Sequence, residues 1–165
     1  VKVKRIENMH PNGQRVAEAL VGAGVEGQII ETLEGSPTAA TAAAQLDIEV
    51  GQVANSLIFE ADGEPLLVLT SGQHRVDLKK LAAFIDAKHI HRPNADFVRE
   101  HTAQPIGGVA PLGHPRPLRT IVDTQLGAWD VVWAAGGHPH YVFPTSFDEL
   151  VRITDGTPFD VGVKG

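Results

Sequence analysis

The chain has 165 residues, 42% of them hydrophobic and 21% charged, with a formal net charge of -6, a length that suits one domain (1–165) with a sizeable core. It has no cysteine, which excludes a disulfide framework, a thiolate zinc site and cysteine nucleophilic catalysis, and is compatible with a reducing cytoplasm. The acidic balance argues against a broad footprint on duplex DNA, so any nucleic acid would be gripped locally. The opening VKVKRIENMHPNG lacks the apolar core of a signal peptide, and no later run is long enough for a membrane span. The expectation is a soluble cytoplasmic protein with neither DNA nor membrane as partner.

In chain order, Asn12 is the expected cap of a helix over residues 12–23, in which Val16, Leu20 and Ala23 follow the i, i+4, i+7 rhythm and Gly22 and Gly24 close it. QIIETL reads as a strand, and Thr38 caps an alanine-rich helix that stops near Leu46. VANSLIF and LLVLT flank Asp62-Gly63, a hairpin signature because both central residues of a type I′ turn need positive φ. A two-residue loop places Phe59 opposite Leu66, Leu57 opposite Val68 and Asn55 opposite Thr70. Asp77 opens a helix with Leu78, Leu81, Ala82 and Ile85 on its apolar stripe and Lys79 and Lys80 outside. Asn94 caps a shorter helix toward His101, RTIVD, DVVWAA and HYVF read as strands, and SFDELVRI starts with the Ser146 to Glu149 capping-box spacing. Hairpin connections predict a mixed sheet rather than a doubly wound one, hence an α+β fold.

Two histidine pairs, His89/His91 and His138/His140, have a spacing that would place both rings on one strand face, where they could share a metal. Neither has a nearby carboxylate in a ligand pattern, and surface or hydrogen-bonding histidines are the commoner outcome; no metal and no cofactor are expected. Ser36, Ser56, Ser71 and Ser146 have no G-x-S-x-G elbow around them, and there is no Walker loop or dinucleotide fingerprint. GGVAPLGH remains. Its paired glycines admit close backbone approach and offer successive N–H groups as an anion cradle, and its prolines stiffen it; a plain tight corner is the competing interpretation.

VANSLIF, the Asp62-Gly63 hairpin, SGQHRVDLKKLA and GGVAPLGH, in that order, resemble the YbaK/prolyl-tRNA-synthetase-associated editing-domain family. TAATAAAQL, IVDTQL, WAAGGHPHYVF and SFDELVRIT extend the resemblance over residues 16–160. The resemblance implies a curved, partly barrel-like mixed β-sheet with surrounding helices. It also implies a pocket for the aminoacyl end of a tRNA, in which water hydrolyses the ester of a mischarged aminoacyl-tRNA with neither metal nor protein nucleophile. Carried onto this chain, Gly107, Gly108 and Asn55 take the catalytic positions, with Ala110, Pro111, Leu112, Gly113, Thr70, Gly137 and His138 around the substrate. The family usually has lysine where Asn55 stands, and often serine where Ala110 stands. Asn55 shares an otherwise apolar strand face with Val53, Leu57 and Phe59, so its amide needs a partner, Thr70 or a ligand.

Two functions follow from that resemblance. The first is a trans-editing deacylase, with a proline tRNA that carries a small amino acid as the expected substrate and Arg75, Lys79 and Lys80 as candidate acceptor-stem contacts. The second is a non-catalytic binder of an aminoacyl-nucleotide or small metabolite on the same fold.

Overall fold

The computed structural model describes residues 3–34 and 38–163. Strand β1 (Val3–Lys4) precedes helix α1 (Pro11–Gly22), whose cap is His10 rather than Asn12. The His10 ring accepts the Asn12 N–H at 3.1 Å. Pro11 occupies the first helical position, where its missing N–H costs nothing. Asn12 is thereby drawn into the helix, and its side chain accepts a bond from Arg15. β2 is limited to Ile30–Thr32. α2 (Ala39–Leu46) starts at Thr38 as expected, in a capping box closed by Thr41.

β3 (Val53–Ala61) and β4 (Glu64–Ser71) form the expected hairpin, with Phe59 opposite Leu66, Leu57 opposite Val68 and Asn55 opposite Thr70. Asp62 and Gly63 have φ of 50° and 87°, as a type I′ turn requires. The Asp62 carboxylate accepts the N–H groups of Lys88 and His89, which hold its pKa below the ordinary value, so the hairpin tip clasps the next crossing. That crossing is α3 (Leu78–Ile85), capped by Asp77, then β5 (Ile90–His91) and α4 (Ala95–Thr102), capped by Asn94. β6 (Arg119–Asp123), β7 (Val132–Ala135), β8 (Tyr141–Thr145), α5 (Phe147–Thr154) and β9 (Thr157–Phe159) complete the described chain. In α5 the Ser146 hydroxyl accepts the Glu149 N–H, but the Glu149 carboxylate turns to Thr145 at 2.7 Å instead of closing the box.

The strands make one mixed sheet in the order β1-β2-β8-β7-β3-β4-β6-β9, with β5 on β3 as well. It is open, since among the described residues no ladder joins β1 to β9. β4 lies inside it, between β3 and β6, and is buried on both faces. Leu67 and Leu69, with Ala54 and Ile58, pack into the main core against Phe143, Leu126 and Leu150. Leu66 and Val68, with Phe59, pack on the other face against Leu81 and Ile85 of α3, Ile121 and Val161. Each such side chain, once removed from water, contributes roughly 1.5 to 3 kcal/mol before entropy is counted.

A buried carboxylate closes one end of the sheet. Asp123 is fully buried and accepts the Ser71 N–H (2.9 Å), His74 Nδ1–H (2.7 Å) and Gln125 N–H (3.0 Å). Next to it, Lys80 Nζ donates to the Gly162 carbonyl at 2.8 Å, and Val76 bridges Gly162. The network ties β4, β6 and the end of the described chain together. His74, Asp123 and Asp160 present oxygen and nitrogen atoms within 4.8 Å of one another, but N–H donors already occupy both oxygens of Asp123.

Candidate active site

The site arises where the sheet comes apart. β3 pairs with β7 only at Val53 and Ala54, and with β5 only at Glu60 and Ala61. Between those contacts residues 55–59 keep β4 on one edge and, among the described residues, have no ladder partner on the other. A cavity of about 140 Å³ opens beside this free edge. Its walls come from Asn55, Ser56 and Leu57 of β3, Ala39 and Ala42 of α2, Trp133 of β7, Ile106, Gly107 and Val109 of the glycine loop, Tyr141, and Arg92 just after β5.

Asn55 is half-buried on this wall, and its amide makes no hydrogen bond to the protein among the described residues. Thr70, opposite it, is buried off the cavity with its hydroxyl 3.4 Å from Asp123, so the cross-strand partner does not form. Ser56 Oγ is also buried without a partner. An orphaned hydroxyl costs roughly 1 to 3 kcal/mol, and the unbonded Asn55 amide on the cavity wall is what a ligand site requires.

The glycine loop is held by its own side chains as much as by its prolines. Gln104 Oε1 accepts the Ala110 N–H at 2.7 Å, and His114 Nε2 lies 2.8 Å from the Ala110 carbonyl. Desolvation lowers the His114 pKa, so the neutral ring donates that bond at neutral pH. Gly108 donates its N–H to Pro105 at 3.0 Å, while the N–H groups of Gly107 and Val109 have no partner among the described residues. Glycine is required at 108 by close approach, because an added Cβ would lie 2.7 Å from the His138 carbonyl carbon. At Gly137, with φ of 94°, a side chain would meet Val16 and the Asn12 carbonyl. Two glycine segments thus nest backbone to backbone, and the second carries Pro139 to the cavity wall.

The remaining sequence-predicted residues lie around this wall. Ala110 and Pro111 are buried behind it, Leu112 packs on the main core, and Gly113 faces Val16 of α1. The His138 ring sits among His10, His140 and Tyr141, with centroids 5.2, 5.6 and 4.7 Å away. Burial first, then His10 and His140, lowers its pKa. His140 Nδ1 lies 3.2 Å from the Thr32 carbonyl, and His91 pairs with Glu60 at 2.6 Å. Lys80 is taken by Gly162 and Asp160, whereas Arg75 and Lys79 are exposed. Ser71 bonds the Gly51 carbonyl, Ser146 caps α5, and Ser36 lies outside the described residues. Sequence reasoning missed Val109 and Arg92; no local pattern marks either, because the split in the sheet places them.

Comparison with known proteins agrees with this architecture. The profile of the aminoacyl-tRNA editing domain matches residues 34–153. A crystal structure of a putative trans-editing enzyme for prolyl tRNA synthetase superposes with a TM-score of 0.90 at 34% identity, covering 95% of this chain and all of that one. Proline–tRNA ligase of Lactobacillus acidophilus is 32% identical over 111 residues, which are 67% of this chain and 20% of the ligase. That of Latilactobacillus sakei is 30% identical over 86 residues, 52% of this chain and 15% of the ligase. The chain therefore spans at most about a fifth of these two ligases. It belongs to the aminoacyl-tRNA editing domain family. Among the described residues no helix is long and apolar enough to cross a membrane.

Proposed function

We propose that residues 1–165 form one editing domain that acts in trans in the cytoplasm, hydrolysing the ester of a mischarged aminoacyl-tRNA, with a proline tRNA carrying a small amino acid as the preferred substrate. The observation that carries this is the free edge of β3 facing the glycine loop across a cavity of about 140 Å³. A cavity of about 150 Å³ accommodates a benzene-sized guest, so the space suits a small amino acid, with the terminal nucleotide at the mouth.

In this reading water attacks the ester carbonyl and the carbon–oxygen bond to the ribose breaks. The proton ends on the ribose oxygen, releasing free amino acid and deacylated tRNA. Gly107 N–H, with Val109 N–H beside it, is oriented by the clamped loop to receive the developing oxyanion, the kind of preorganised donor that lowers such barriers. Gly108 acts by setting the loop against His138. Asn55 holds the terminal nucleotide or the attacking water.

Incubation with a panel of charged tRNAs tests this: release above the spontaneous rate is expected on at least one misacylated proline tRNA, and none on any member of the panel removes the reading. Because Asn55 carries no charge, the alternative is an aminoacyl-nucleotide binder. Analogue binding without any hydrolysis, with hydrolysis appearing only in Asn55→Lys, would establish that alternative.

A further inference from the structure

We infer that Arg92 anchors the 5′-phosphate of the substrate's terminal nucleotide, which fixes the direction in which the substrate enters. This rests on the aminoacyl-nucleotide reading of the cavity. Arg92 is the one charged residue on the cavity wall among the described residues. Its guanidinium carbon lies 5.5 Å from the centroid of Phe59, a ring that is 2% exposed and fixed in the core under α3. A cation held over an aromatic face loses less freedom on binding than one on a free stem. No carboxylate pairs with it among the described residues, and Glu60, the nearest acid on the adjoining ladder, is taken by His91 at 2.6 Å.

The chemistry of an aminoacyl-nucleotide decides which end this cation meets. The α-ammonium would be repelled by a guanidinium, whereas the nucleotide's phosphate would be held by its planar fork. Arg92 is exposed, while Ala54 and Ala134 on the same cavity are buried. Phosphate therefore enters last and stays at the Arg92 mouth, and the aminoacyl group points inward to Ala54 and Ala134.

The test uses two non-hydrolysable probes, 3′-alanylamino-3′-deoxyadenosine with and without a 5′-phosphate, titrated calorimetrically at low salt. The wild type is expected to bind the phosphorylated probe roughly tenfold to a hundredfold more tightly, the range of one charge-assisted bond. Arg92→Ala and Arg92→Gln should remove that preference and leave affinity for the unphosphorylated probe unchanged, with the thermal midpoint as a check on folding. Equal binding of both probes by the wild type, failure to bind either, equal loss of both in the variants, or a preference that survives Arg92→Ala would each overturn the inference. Failure of the charged-tRNA panel alone removes the hydrolytic function and leaves the phosphate preference standing.

Discussion

The Asp123 network and the wall at Asn55 are both polar clusters at the margins of one hairpin, and they end differently. At Asp123 both carboxylate oxygens meet donors, from Ser71, His74 and Gln125. At the free edge of β3 the Asn55 amide is unbonded, and the N–H groups of Gly107 and Val109 have no partner among the described residues. Buried polar groups with every bond made hold a fold together, whereas groups left open against a cavity cost stability and are explained by a ligand. The two clusters should therefore respond oppositely to mutation, one through stability and the other through activity.

The largest stability effect is expected at the closed cluster. Asp123→Ala strands the Ser71 N–H and the His74 ring, and breaking a buried charged network of this kind costs about 3 to 5 kcal/mol. Urea melts should show the loss, and a variant as stable as wild type would mean that the network is not structural. Gly108→Ala comes next. A methyl group 2.7 Å from the His138 carbonyl carbon forces the two glycine segments apart, at roughly 1 to 3 kcal/mol of stability. Deacylation should fall further than stability does; undiminished hydrolysis would show that the nesting does not position the loop.

Much of the closed region was legible because its causes are local. The Asp62-Gly63 turn and the alternation of VANSLIF give the register of the hairpin, and Thr38, Asp77, Asn94 and Ser146 mark four helix starts through bonds reaching three residues on. The cap at His10 escaped because Asn12 is the better cap by type, and Pro11 beside it settles the competition. β1, β5 and β9 escaped because they are two or three residues long and exist by pairing with distant strands. At the site, Asn55 and Gly107 were legible as residues out of keeping with their surroundings. Arg92 and Val109 were not, since their place depends on β3 parting from β7, a non-local event that leaves no periodicity in the chain.

At the open wall the sign of the stability effect should change. Asn55→Ala removes an amide with no bond to the protein, so the thermal midpoint should stay level or rise slightly, while kcat/KM for a charged tRNA falls roughly tenfold to a hundredfold, as expected for one lost polar contact in a transition state. A variant destabilised by more than about 1 kcal/mol with unaltered kcat/KM would reverse the assignment of this wall.

The smallest effect concerns the clamp beneath the glycine loop, where the two kinds of region meet. His114 is half-buried, its partial desolvation holds its pKa below the ordinary 6.5, and its neutral ring serves the Ala110 carbonyl. A group whose folded pKa is lowered takes up its proton more readily when unfolded. Its stabilising effect is therefore complete above about pH 6.5 and declines as pH falls below that value, until the folded pKa is passed. The decline from one such group cannot exceed about 1.4 kcal/mol per pH unit. His138, shifted in the same direction, adds to the slope, while the lowered pKa of Asp62 acts only below 3.8. Unfolding free energies between pH 5 and 7 should therefore rise with pH, and His114→Gln, which retains a donor for Ala110 without titrating, should flatten part of that rise. An unchanged slope in His114→Gln would mean that folding does not lower the His114 pKa.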